Sequence, residues 1–253
     1  MSRLARRNLC TSFFHVIVQG VNREFIFEKY KYREKYFHLL EEVKKDHILD
    51  ILAYSIMYNH THMLVHTEKI KELSDFMKKV NEKYAKYYNY MENRVGHVFR
   101  DRYMSEPITN KKYLINCLVY IHNNPVKANI VKKCEDYQFS SYLDYINETK
   151  FVNKDIIKLV FDTNKLDLSL YKELHLGKRY YFSDYNNATE ENVQEILQEI
   201  ERMYGQNIEN LLKKEHLVYK IVLEIKERIP NISNLQISKT LGINKNIIYK
   251  ILK

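Results

Sequence analysis

The chain lacks tryptophan, has only three cysteines, and contains no apolar run approaching a membrane span in its 253 residues. Each absence excludes something. A bilayer crossing needs about 20 mostly apolar residues, so no transmembrane helix is expected. Cys10, Cys117 and Cys134 are an odd number without paired spacing. They predict reduced thiols in a cytoplasmic protein rather than a disulfide framework or a zinc ribbon. Without tryptophan, 22 tyrosines and 11 phenylalanines must supply every stacking surface. Arg3, Arg6 and Arg7 precede an apolar stretch, but His15 and Gln19 interrupt it and no small-residue cleavage pattern follows. That argues against a signal peptide and leaves the arginines free to act as a basic arm on DNA.

What is present is positive charge. The net charge is +9 and the pI about 9.1, which favours a polyanionic partner, although a basic soluble protein has the same balance. Within 78–90, lysines alternate with Tyr84, Tyr87, Tyr88 and Tyr90. Single-strand nucleic-acid surfaces have that composition, and so does a solvated amphipathic helix. The length allows one or two domains with a substantial core.

Two segments carry chemistry. His60-Thr61-His62 lies in an alternating run from Ile56 to His66. A strand puts residues i and i+2 on one face, roughly 6–7 Å apart, where two imidazoles can share a divalent metal. A polar strand edge with ordinary histidines has the same pattern, and His66 shares the face as a ligand or a neighbour. The second segment runs from Tyr113 to Ala128. Leu114, Cys117, Leu118 and Ile121 recur at helical spacing. Pro125 disfavours helix at Asn124, so the helix is expected to end there. Tyr113, Asn116, Tyr120 and Asn124 share another face. A tyrosine one turn from an amide can bring a nucleophile and a neutral oxygen ligand to one point; a half-buried tyrosine in an amphipathic helix is the plainer reading. His122 is expected on the surface.

The Tyr-Asn-His-Thr-His-Met-Leu-Val strand resembles the histidine-pair metal motif of the single-strand DNA transposases with one catalytic tyrosine (the IS200-like, HUH type). The Tyr-Ile-His-Asn-Asn-Pro-Val-Lys-Ala helix end is similar to their REP-associated tyrosine transposase branch. Phe14 to Arg23 with Ile26-Phe27 fits the first strand and turn, and Phe99-Arg100-Asp101-Arg102-Tyr103 the strand before the tyrosine helix. The resemblance covers about 10–145. Thr61 and Asn123 depart from it, each replacing a usual apolar residue; Thr61 is expected to point away from the metal.

The resemblance implies Tyr120 as nucleophile, with His60, His62 and Asn124 holding Mg²⁺ or Mn²⁺. Imidazoles alone would equally suit zinc or nickel. It implies single-stranded or hairpin DNA as substrate and a 5′-phosphotyrosine intermediate. Tyr113 is the rival nucleophile. Arg23, Arg102, Tyr103 and Lys127 are expected DNA contacts, although Arg102 and Tyr103 equally fit a strand end. Cytoplasmic, nucleoid-associated location follows, with monomer and homodimer both open.

The pattern predicts strands over 12–20, 49–56 and 61–66, an extended stretch over 97–108, and helices over 30–46, 70–90 and 110–123. That β-α-β-β-α-β order predicts an α+β, ferredoxin-like catalytic domain over 1–150 with an antiparallel sheet, one face taking the helices and the other, with His60 and His62, left open. Residues 134–150 are expected to pack back on this domain. Residues 151–189 form a connecting region, with 179–187 as linker. Residues 190–253 are helical, with segments 190–204 and 207–229 before Pro230. A helix-turn-helix is expected over 234–252, with Gly242 at the turn and Asn244 capping the second helix; a small helical bundle has the same pattern. Asn244, Lys245, Asn246, Tyr249 and Lys250 would meet DNA. Two functions stay open: a nicking and strand-transfer enzyme, and a non-catalytic DNA-binding regulator. Rolling-circle initiators and relaxases share paired histidines but fit the Tyr-x-x-x-Asn-Pro segment less well.

Overall fold

The computed structural model describes residues 11–147, 151–161, 175, 189–229 and 232–252. Arg3, Arg6, Arg7, Cys10, Pro230 and the expected linker lie outside the described residues. The chain divides into two compact units, Met1–Gly177 and Lys178–Lys253.

In the first unit, β1 (Phe13–Gln19), α1 (Tyr30–Lys44), β2 (Asp50–Ile56), β3 (His60–His66), α2 (Ile70–Met91), β4 (Met104–Pro107) and α3 (Lys111–Lys127) follow in order. Two short helices, α4 (Tyr142–Ile146) and α5 (Lys154–Phe161), come next. The four strands form one antiparallel sheet in the order β2-β3-β1-β4. Side chains alternate across each strand. One face carries Phe14, Val16 and Val18 of β1, Met63 and Val65 of β3, and Tyr54 and Ile56 of β2. It packs in one core with Tyr32, Tyr36, Leu39, Leu40 and Val43 of α1 and Leu73, Phe76, Met77, Val80 and Tyr84 of α2. These helix residues recur three and four apart, which gives each helix one apolar stripe. Truncating a fully buried ring such as Phe76 to alanine would cost about 3–5 kcal/mol.

The other face carries His15, Ile17 and Gln19 of β1, in register with Leu64, His62 and His60 of β3, and Glu106 of β4 opposite His15. This face is not open as expected. Helix α3 lies over β2 and β3, and His15 and His62 are fully buried. The reason lies in α3, which has no solvent stripe along its middle. Besides Leu114, Cys117, Leu118 and Ile121, the Tyr113, Asn116, Tyr120 and Asn124 face is buried too. So is His122, against the surface position expected of it. Residues 134–147 cover that side: His122 Nε2 lies 2.8 Å from Ser141 Oγ. The same segment is fastened to β2. Tyr54 N–H donates to Ser141 Oγ at 2.8 Å and Tyr137 Oη donates to the Ile56 carbonyl at 2.6 Å.

Helix α3 also runs past Asn124, with Pro125 inside it. A proline this near a helix end removes one hydrogen bond and leaves the last turn intact. The stop comes at Asn129, whose φ of 54° is left-handed, a common terminator. Ala128 N–H closes on the Asn124 carbonyl and Ile130 N–H on that of Pro125, both at 2.9 Å. The extended stretch is shorter than predicted. Only Met104–Pro107 forms a strand, and the residues before it are tied to the end of β1 and the turn after it by Arg100 N–H to Gln19 O and Val21 N–H to Val98 O, each 2.9 Å.

The second unit holds α6 (Thr189–Tyr204), α7 (Ile208–Leu211), α8 (Glu215–Arg228), α9 (Asn234–Leu241) and α10 (Lys245–Ile251). The segment expected as one helix over 207–229 is broken at 212–214, which lets Leu211 and Leu217 enter one core with Ile196, Ile221, Ile225, Ile237 and Ile248. Ser233 and Gln236 form a reciprocal capping box on α9. Gly242 takes φ 66° between α9 and α10, and Asn244 Oδ1 accepts the Asn246 N–H at 2.9 Å. Among the described residues no helix is long and apolar enough to cross a membrane.

Candidate active site

Two residues of β3, one of β1 and one of α3 meet between the sheet and its covering helix. The His60 and His62 rings lie 4.8 Å apart, centroid to centroid, nearly perpendicular. Thr61 between them pairs with Val18 and Ile56 and is buried on the opposite face. His15 stacks on His62 at 5.2 Å. Tyr120 presents its ring edge-on to both, 5.4 Å from His62 and 5.9 Å from His15.

Each histidine of the pair has one nitrogen engaged. His60 Nδ1 lies 2.6 Å from Asn59 Oδ1. His62 Nδ1 lies 3.0 Å from His15 Nε2. His62 Nε2 is buried without a hydrogen-bond partner. Burial also keeps these imidazoles neutral. It lowers His60 to about 4; burial, then repulsion from His60, lowers His15 to about 3. Burial and then His60 and His15 hold His62 well below 6.5. A neutral imidazole is a Lewis base, and an unsatisfied buried nitrogen costs about 1–3 kcal/mol unless something occupies it. Asn124, one turn beyond Tyr120, is 8% exposed. Its Nδ2 donates to the Tyr120 carbonyl at 3.4 Å, so Oδ1 is the atom left to ligate. Among the described residues no three His, Cys, Asp or Glu side chains converge as a metal cluster. The donor set that fits a cation is therefore the two imidazoles, the Asn124 oxygen, and oxygens from water or substrate.

The other expected residues are dispersed. His66, at the far end of β3, sits 3.2 Å from Glu68 and 3.6 Å from Asp50. Tyr113 is buried on α3. Tyr103 is also buried, with its hydroxyl 2.9 Å from Ser74 Oγ. Arg102 is exposed at the rim of a cleft of about 690 Å³ between α2 and residues 96–103, which Lys78, Phe99, Arg100 and Tyr103 also line. Arg23 is exposed and left-handed, φ 61°, and its carbonyl accepts from Asn59 Nδ2 at 3.5 Å. Lys127 is exposed in the last turn of α3. In the second unit Asn244, Lys245, Asn246, Tyr249 and Lys250 are all exposed, and Lys245 Nζ lies 5.3 Å from the centre of the Tyr249 ring.

Three residues went unassigned in the sequence. His15 and Glu106 share the buried face. Arg100 Nη1 reaches Gln19 Oε1 at 3.4 Å, and Gln19 is the register partner of His60. His15 and Gln19, spaced i and i+4 in an otherwise apolar strand, were the available signal.

The first unit, with its tyrosine helix closed over a histidine pair, is the part of the chain for which known proteins show similarity. Residues 9–124, a little under half of the chain, match the family model described as "Transposase IS200 like". Among solved structures, one titled as a REP-associated tyrosine transposase bound to a REP hairpin is similar at 22% identity. It covers 58% of this chain and 86% of that one, with a TM-score of 0.48. A putative transposase from Deinococcus radiodurans is similar at 14% identity, covering 53% and 96%, with a TM-score of 0.34. No curated protein matches the chain.

Proposed function

We propose that the protein is a metal-dependent single-strand DNA nicking and strand-transfer enzyme that acts through a phosphotyrosine. One observation carries this: the Tyr120 ring packs nearly perpendicular to His62 at 5.4 Å, and the outer nitrogen of His62 is buried without a partner. On this reading His60 and His62 hold a divalent cation, Mg²⁺ or Mn²⁺, through Nε2, and Asn124 holds it through Oδ1. A cation bound there would polarise a phosphate oxygen and stabilise the charge that builds up during attack.

Tyr120 supplies the nucleophile. Its hydroxyl oxygen bonds to phosphorus, the bond from phosphorus to the 3′ oxygen breaks, and the phenolic proton passes to solvent. The departing 3′ oxygen takes a proton from water. The 5′-phosphotyrosine keeps the ester, so an incoming 3′-hydroxyl can reverse the step without an external energy source. His60 is the half-buried member of the cluster. The substrate therefore enters at that end of β3, where Arg23 and Arg100 also lie and can pair with phosphates. Tyr120 and its histidines come from one chain, so the reading needs no second copy.

The β-α-β-β-α-β order with β1 between β3 and β4 supports a ferredoxin-like catalytic domain over about 1–150. The left-handed Gly242 and the capped α10 support a helix-turn-helix over 234–252 that offers Asn244, Lys245, Tyr249 and Lys250 to DNA. Single-stranded hairpin DNA is the substrate class, and a cytoplasmic, nucleoid-associated location goes with it.

The test is covalent capture. Labelled hairpin DNA incubated with the protein and Mg²⁺ should yield an adduct that survives detergent, and Tyr120→Phe should abolish it. An adduct that persists in Tyr120→Phe refutes the nucleophile. Salt-sensitive binding with no adduct on any hairpin favours a DNA-binding regulator instead.

A further inference from the structure

We infer that His15 is a positioning residue that fixes the tautomer of His62 and aims its Nε2 at the cation. The inference rests on the metal-dependent reading above and adds to the site a residue outside the histidine pair.

His15 and His62 lie on adjacent strands and on the same face, diagonal in register, because Ile17 is the direct partner of His62 and Leu64 that of His15. That offset lets the rings stack at 14° between planes and places His15 Nε2 3.0 Å from His62 Nδ1. Two ring nitrogens at that distance share one proton. A ligating nitrogen carries none, so when Nε2 of His62 binds a cation its Nδ1 must hold the proton and donate it to His15 Nε2. This is the usual design of a ligating histidine, whose second nitrogen is held by an acceptor that sets tautomer and ring orientation. His60 shows the same arrangement with a different acceptor, the Asn59 side-chain oxygen.

Direct ligation through His15 Nε2 is disfavoured on two grounds. Its Nε2 is turned to His62, and no three His, Cys, Asp or Glu side chains among the described residues converge on one point. Both rings are fully buried, so water does not compete for the shared proton, and the packing of Tyr120 against both rings ties their orientation to that of the nucleophile.

The experiment measures Mn²⁺ binding by calorimetry on the full chain without DNA. His15→Leu keeps bulk and removes the acceptor; His15→Gln restores an acceptor oxygen at similar reach. His15→Leu should weaken Mn²⁺ binding by roughly 10–100-fold, and His15→Gln should stay within about threefold of the parent. Equal binding by all three proteins, or equal loss in both variants, overturns the inference. His60→Ala is the control for the underlying reading: if the parent does not bind Mn²⁺, or binds it as well without His60, the metal site itself fails and His15 is not the cause. Should His15→Leu not fold, nitrogen-15 spectra of the parent protein with Zn²⁺ as a diamagnetic probe decide the matter. The inference expects the His62 proton on Nδ1 and a bare Nε2 on His15; a protonated His15 Nε2, or a zinc-shifted His15, overturns it.

Discussion

Glu106 should make the first unit less stable as pH rises, and replacing it with glutamine should remove that dependence. The carboxyl is 8% exposed, and both of its oxygens are buried without a hydrogen-bond partner. Burial raises its pKa from 4.5 to about 8. The sign follows from linkage. Between those two values the unfolded chain has released the proton and the folded protein still holds it, so the folded state binds more protons and stability falls with pH. The stabilisation is complete below about 4.5, is lost progressively up to about 8, and changes no further above that. At 1.36 kcal/mol per pH unit, the loss between pH 5 and pH 8 is about 3–4 kcal/mol. Glu106→Gln keeps the shape and cannot ionise. Its buried amide carries a cost of about 1–3 kcal/mol, and that cost is the same at every pH. The parent and Glu106→Gln should therefore diverge with pH whatever their offset. Native-state hydrogen exchange of β1 and β3 peptides in EDTA, from pH 5 to 8 and corrected for intrinsic rates, reads the opening free energy of this unit. A difference between the two proteins that changes by less than about 1 kcal/mol over that range would refute the account of a carboxyl kept neutral by burial.

Three other outcomes are expected. Gly20→Ala should destabilise by roughly 1–3 kcal/mol, because a Cβ there would lie 2.5 Å from the Glu24 carbonyl oxygen and 3.2 Å from Ile26; an unchanged melting temperature contradicts it. Arg23→Ala and Arg100→Ala should each weaken single-strand DNA binding and reduce the slope of log K against log salt by about 0.7. An unaltered slope removes that arginine from the phosphate contacts. Ser233→Ala breaks the capping box of α9 and should cost about 1 kcal/mol, read as faster amide exchange in α9.

The parts of this molecule that could be read in its sequence are those set by local periodicity. The i, i+2 spacing of His60 and His62 is enough to put both on one strand face. The i, i+3, i+4 spacing of Tyr120 and Asn124 is enough to put both on one helix face. Strand register and helix coverage are not local. His15 meets His62 only because β1 pairs with β3 at Ile17↔His62, and no property of His15 in its own segment records that partner. The apolar stripe of α3 marks only part of its buried area, so it places His122 on the surface, whereas the helix buries His122 as well. Residues 134–147 return along β2 and close the other side. Pro125 was a sound stop signal, outweighed by an intact final turn and a left-handed Asn129 four residues on.

The same non-local packing explains why the chemistry gathers where it does. A face left open would have given His15 and Glu106 water to bond with, and no strong shift of pKa. Once α3 closes over it, desolvation strips charge from every imidazole and from the carboxyl alike. What remains is a set of neutral donors that includes the buried, unpartnered Nε2 of His62, which a cation would satisfy. Helix α3 both carries the phenol and supplies the dry surroundings. A variant that loosens α3 without touching Tyr120 should therefore raise the pKa values of His60 and His62 toward 6.5 and weaken cation binding together. If the helix were loosened and the two properties moved independently, burial by α3 would not be the source of the imidazoles' neutrality.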